Sequence, residues 1–266
     1  MEQYREKNIS LNSFQMSAML FRAKLKYLIA GRGTGKSYIN GAEVDENVRI
    51  MPRGITTVTQ DTLVQALTKT LPSTFRFLEK LGYRRYDPKT KTGDYVVCQK
   101  PPAHFYEPYE RIMSYDHIIT FSNGHALYIL SQAAGARGPN ADYNITDEAL
   151  TIDKVKFDQE AAATNRGNEE MFGFRSQNPL YKHHGSTFTS SMGFLPEHKW
   201  MTEPAQYYAD EAGIQLFVVW NKVVNLQLQL IRAKLANDET LAVELFKESI
   251  RLRKTITPFV STDGTL

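Results

Sequence analysis

Eight residues, Ala30-Gly31-Arg32-Gly33-Thr34-Gly35-Lys36-Ser37, constrain this chain more than any other stretch, because they directly follow the apolar run Leu25 to Ile29. A tight glycine loop between a buried strand and a helix turns several backbone N–H groups inward and makes a cradle for polyphosphate. In the P-loop pattern the lysine reaches the β- and γ-phosphates and the next hydroxyl holds Mg²⁺. Those roles fall here to Lys36 and Ser37, and the positive end of the following helix adds to anion binding. Gly31, Gly33, Thr34 and Gly35 supply the loop. Ala30 stands where the pattern has its first glycine, a small departure.

The 266 residues suffice for one large α/β domain or a domain with a small appendage. Hydrophobic residues make up 42% and charged residues 23%, a balance that supports a sizeable core. A net charge of +3 is compatible with a polyanionic partner without requiring one. The single cysteine, Cys98, excludes an internal disulfide and any CxxC metal site, and so points to an intracellular protein. The polar N-terminus does not read as a signal peptide. No apolar run is long enough for a membrane span.

Strands and helices alternate along the chain, which predicts a mainly parallel three-layer sheet. Phe14, Met16, Met19, Leu20 and Phe21 suit a short amphipathic helix before the first strand. Residues 36–50 read as the helix of the phosphate loop, broken by Pro52 and Gly54, and 55–59 as a second strand. Asp61-Thr62 suits the cap of a helix running to Leu81 with an interruption at Pro72. Residues 82–116 read as an insertion of short strands and loops on the sheet edge. Asn123-Gly124 between two apolar runs predicts a hairpin of 118–121 with 126–130. Further strands are expected at 143–146 and 186–189, helix at 152–163, and two helices after 204 split near Asn237-Asp238. The organisation expected is an ATPase core over 1–200, a helical linker or lid subdomain over 201–257 and the start of a linker over 258–266.

A phosphate loop needs an acid that holds the metal and a base for water. Asp147-Glu148 ends the strand Tyr143 to Thr146, and acids at such strand ends lie beside the phosphate loop. Asp147 is read as the Mg²⁺ ligand and Glu148 as the base that orients and deprotonates water. Asn144 and Thr146 replace two aliphatic residues usual in such a strand. Asp210-Glu211 has no buried strand before it and reads as helix surface.

The run from Gly135 to Ala149, with Arg137-Gly138 before the strand and Asp147-Glu148-Ala149 at its end, resembles the large-terminase family of tailed viruses. The loop with Arg32 inside it is similar to the family's Gly-Gly-Arg-Gly-Ser-Gly-Lys-Ser form. Thr187-Phe188-Thr189-Ser190-Ser191 is similar to its coupling motif, where a strand ends in hydroxyl residues, here Thr189 and Ser190, that sense the γ-phosphate. The resemblance covers about residues 12–195 in matching order. It implies an additional-strand, RecA-like P-loop ATPase using ATP and Mg²⁺ to drive double-stranded DNA into a procapsid. It also implies a homo-oligomeric ring, commonly a pentamer, on a portal protein, with a small terminase subunit as partner, in the host cytoplasm during virion assembly. Arg137 or Arg32 is then the arginine that meets the γ-phosphate, Arg137 from a neighbouring subunit and Arg32 in its own. Gln15 resembles the adenine-reading glutamine of related motors. The family's nuclease domain has no room in residues 196–266, so no nuclease activity is expected from this chain.

A helicase-like or other remodelling P-loop ATPase is the alternative, but it would want a second motor lobe. A kinase would not want Glu148 beside the metal ligand. His183, His184 and His198 lack an acid or thiol at ligand spacing and read as surface histidines. Tyr83, Tyr86, Tyr95, Tyr106, Tyr109 and Tyr115, set among Lys and Arg, suit either packed edge strands or a DNA-facing surface.

Overall fold

The computed structural model describes residues 9–21, 23–135, 138–173, 180, 182–208 and 211–256. Its helices are α1 (Ser13–Leu20), α2 (Lys36–Ile50), α3 (Leu63–Gln65), α4 (Leu71–Leu81), α5 (Lys154–Gln159), α6 (Glu169–Phe172), α7 (Glu211–Leu235) and α8 (Glu239–Ile256). Among the described residues the strands β1 (Leu25–Ile29), β2 (Ile55–Gln60), β3 (Tyr95–Val97), β4 (Ile118–Phe121), β5 (Ala126–Ser131), β6 (Tyr143–Asp147) and β7 (Gly185–Ser190) form one sheet. Their order is β1-β7-β6-β2-β5-β4-β3, parallel from β1 to β5 and antiparallel at the β4 and β3 edge. β7 therefore inserts between the strand that leads into the glycine loop and the strand that ends in Asp147.

Both faces of the sheet are covered, so β2 is buried at all six positions. Successive side chains of a strand point to opposite faces. Val58 joins a core with Val44 and Val48 of α2, with Met51 just after it, and with Leu71 and Leu78 of α4. Phe188 and Ala149 pack on the other face with Ile152, Phe157 and Met201. The same alternation accounts for Asn144 in β6. It is buried and satisfied, accepting 2.6 Å from Thr57 Oγ1 and donating to the Ala161 carbonyl.

Three elements depart from expectation. The helix after β2 is not interrupted at Pro72: α3 runs into a π-turn (Ala66–Thr70) and then α4, with Pro72 in its first turn. Proline lacks an N–H and its ring clashes with the carbonyl four residues back, so a widened turn accommodates it where an α-turn would break. In α1 the buried positions are Gln15 and Ala18 rather than the Phe and Met residues. The helix is expected at 152–163, yet α5 is shorter and flanked by 3₁₀ turns at Ala149–Thr151 and Ala162–Thr164.

The histidine pair is the clearest correction, because His183 is fully buried and His184 is nearly so. His183 Nε2 lies 3.1 Å from Asp142 Oδ1, an acid distant in sequence, which also accepts 2.7 Å from the Asn168 N–H. Burial opposes ionisation of Asp142, but the His183 contact and the Ile55 and Asn168 N–H groups outweigh it and lower its pKa.

On the buried face of α2, Glu43 lies between Lys26 at 2.8 Å and Lys182. Burial again opposes its charge, and the two ammonium groups still hold the carboxyl down to about 2. Tyr143 donates to the same carboxylate, so this side of the sheet is stitched by polar groups that compensate one another.

The insertion 82–116 sits at the β3 edge. There Tyr95 is buried and stacks on Phe75, and Tyr83 packs edge-on against Phe121, whereas Tyr106 and Tyr109 are exposed. Packing is thus the main work of the interior tyrosines. α7 and α8 form a hairpin whose Trp220 meets Phe21 after α1. Glu211 is exposed at the start of α7, as expected, while Asp210 lies outside the described residues. No helix among the described residues is long and apolar enough to cross a membrane.

Candidate nucleotide site

The glycine loop turns through two left-handed residues, Gly33 at φ 78° and Gly35 at φ 83°, conformations open to glycine and costly to other residues. α1 braces it from outside. Asn12 caps α1 and donates 3.0 Å to the Thr34 carbonyl. Gln15 donates from Nε2 to the Gly35 carbonyl at 3.3 Å, while its Oε1 accepts from the Asn12 N–H at 3.0 Å. Both ends of the Gln15 amide thus engage backbone, which makes it a brace for the loop in this state. Lys36 folds back and donates to the carbonyls of Ala30 at 2.9 Å and Gly31 at 3.0 Å.

At the end of β6, Asp147 is buried and accepts at both oxygens. Thr189 Oγ1 donates to Oδ1 at 2.8 Å and Thr70 Oγ1 to Oδ2 at 2.6 Å. Asn40, one helical turn after Lys36, donates 3.2 Å to Thr189 Oγ1, and Gln60 donates to Thr70 Oγ1. Ser190 touches both halves of the site. Its carbonyl accepts from the Ala30 N–H at 3.1 Å and its hydroxyl from the Leu150 N–H at 3.2 Å.

Glu148 follows in the left-handed region, at φ 49° and ψ 46°, with its side chain exposed. Its carbonyl is held by the N–H and hydroxyl of Thr151, both at 2.9 Å. A non-glycine residue held in this region stores on the order of 1–3 kcal/mol, and such residues concentrate at functional sites.

These parts line one cleft of about 720 Å³. Arg32, Gly33, Gly35, Lys36 and Ser37 line it from the glycine loop and the start of α2, and Glu148, Ser190 and Ser191 from the ends of β6 and β7. Gly31 and Thr34 belong to the loop itself, where Thr34 Oγ1 donates to the Gly31 carbonyl at 2.8 Å. Arg137 lies outside the described residues. Sequence reasoning missed Asn40, and it missed that the expected helix after β2 brings Thr70 onto Asp147 and carries Lys69 into the cleft. Asn40 is legible in retrospect as the residue four beyond Lys36 on one helix face. No local pattern marks the other two.

The donor set suits a hard cation. Asp147, Ser37 and Thr189 offer only oxygen, and no group of three His, Cys, Asp or Glu among the described residues could hold a metal alone. A hard cation such as Mg²⁺ takes one or two protein oxygens and completes its shell with phosphate and water.

A glycine loop leading into α2, an inserted strand ending in Thr189-Ser190, and a neighbouring strand ending in Asp147-Glu148 define a P-loop fold of the additional-strand class. No protein-family model and no curated protein matches the sequence. Among solved structures, the chain is similar to the large terminase ATPase domain of Thermus phage P74-26. Identity there is 16% and the TM-score 0.45, over 73% of this chain and 68% of that one. It is also similar to the large terminase of a thermophilic bacteriophage, at 12% identity and a TM-score of 0.49, over 77% of this chain and 44% of that one.

Proposed function

We propose that this chain is a Mg²⁺-dependent ATPase that powers movement of double-stranded viral DNA into a procapsid. The observation that supports hydrolysis most directly is that Glu148 lines the same cleft as Lys36 and Ser37. The DNA-packaging part rests on the order of three motifs, the loop with Arg32, the Arg137 to Ala149 run and Thr189-Ser190.

Ser37 and Asp147 would hold the magnesium ion, which neutralises charge on the β- and γ-phosphate oxygens when bound. Lys36 leaves the Ala30 and Gly31 carbonyls and takes phosphate oxygens instead. Glu148 accepts a proton from the attacking water. Thr189 and Ser190 join the acid, the glycine loop and the turn after Glu148, so a change at the terminal phosphate is felt by all three. Arg32 serves its own site and Arg137 that of a neighbour in the ring, an arrangement worth roughly 10³–10⁵ in rate where an arginine is supplied. The portal protein and a small terminase subunit are the partners of that reading, and α7 and α8 its bridge to further machinery.

The test is ATP hydrolysis by purified protein with and without double-stranded DNA, followed by DNA uptake into procapsids. Lys36→Ala should abolish both. Hydrolysis without any DNA uptake would keep the ATPase and discard the packaging role.

A further inference from the structure

Beyond the motif residues, part of the cleft belongs to the helix after β2, from which Gln65, Lys69 and Ser73 line it at spacings of four. Lys69 is exposed and makes no ion pair among the described residues. It sits in the π-turn, a winding that recurs at functional sites. The turn is anchored by the next residue: Thr70 is buried and its hydroxyl donates 2.6 Å to Asp147 Oδ2 while accepting from Gln60. A flexible cation is thereby tied, through one residue, to the carboxylate at the end of β6. Among the described residues, the charged side chains lining the cleft are Arg32, Lys36 and Lys69 against Glu148. Such an excess of positive charge suits a ligand whose anionic charge concentrates at one end.

We propose that Lys69 binds the terminal phosphate of the nucleotide, supplied from within the same subunit by a π-turn locked to Asp147. This rests on the ATPase reading and deepens it: Lys69 separates triphosphate from diphosphate. Lys36 is anchored at the loop and serves both. Lys69 lines the same cleft from a separate element, the π-turn, and takes the terminal group.

The experiment is calorimetric titration of wild type, Lys69→Ala and Lys69→Arg with Mg–ADP and with the non-hydrolysable β,γ-imido analogue of ATP. Loss of one charge-assisted hydrogen bond should weaken the analogue about tenfold or more in Lys69→Ala. ADP affinity should stay within about twofold, and Lys69→Arg should recover most of the loss. Lys69 is exposed, so matching melting temperatures are expected and serve as the folding control. An equal loss for both nucleotides, or no loss for either, overturns the proposal. Wild type that binds neither nucleotide would instead sink the ATPase reading itself.

Discussion

Thr189 Oγ1 donates a 2.8 Å hydrogen bond to Asp147 Oδ1, and the two residues are register partners at the ends of β7 and β6. Sheet pairing alone places hydroxyl beside carboxylate, and Asn40 reaches the same hydroxyl from α2. Thr189→Val keeps the shape and removes both bonds. We expect stability to fall by about 1–2 kcal/mol, because a buried acceptor loses its donor. ATP turnover should drop more than tenfold, a factor worth about 1.4 kcal/mol of barrier. Melting curves and steady-state kinetics check the two effects separately.

Glu148 lies at the cleft in a strained backbone conformation. Glu148→Gln should retain ATP binding while lowering hydrolysis by roughly 10²–10⁴-fold, the usual reach of a general base. Glu148→Gly should lose the same activity yet gain about 1 kcal/mol of stability, since glycine carries no left-handed penalty. Unchanged turnover in the glutamine variant would remove this carboxylate from the mechanism.

Gly35 is confined on two counts. A Cβ there would lie 2.1 Å from Gln15 Nε2, and its φ of 83° disfavours any side chain. Gly35→Ala should therefore displace Gln15 and cost roughly 1–2 kcal/mol from the backbone conformation alone. Adding Gln15→Ala should relieve the clash and leave the conformational part. Equal melting temperatures for the single variant and wild type would contradict this placement.

His125 is fully buried; its Nδ1 lies 2.7 Å from the Met51 carbonyl and its Nε2 3.0 Å from Thr56 Oγ1. A carbonyl only accepts, so Nδ1 carries the proton and Nε2 accepts from the hydroxyl. Burial lowers its pKa from 6.5 to about 4, against the smaller opposing effects of Met51 and Asp142. The unfolded chain therefore takes up a proton below pH 6.5 that the native protein refuses until about pH 4. Stability should fall by up to about 3 kcal/mol as pH drops through that window and level off below it. Denaturation across this range should show a flatter pH dependence in His125→Asn.

The strands expected at 25–29, 55–59, 118–121, 126–130, 143–146 and 186–189 fall within a residue at each end of the observed ones, because each is a run of sheet-forming residues bounded by turn residues. The pairings that make the site were legible only in part. Asp147-Glu148 reads as an acid at a strand end, whereas the Thr70 contact joins residues 77 apart in sequence and follows from the π-turn. The histidine pair misled because its acid partner, Asp142, comes from 41 residues upstream. Ligand spacing along one element says nothing about groups that meet between elements.

By itself the sequence determined a glycine loop between strand and helix, the alternation that covers both faces of a parallel sheet, and the acids and hydroxyls at two strand ends. These follow from local rules: glycine's freedom at positive φ, the two-residue period of a strand, and the need of buried polar groups for partners. Tertiary structure alone decided that β7 lies between β1 and β6, and that Thr70 closes on Asp147 while Lys69 turns into the cleft. Strand order and helix phase depend on contacts between distant segments, and no window of sequence contains both sides of such a contact.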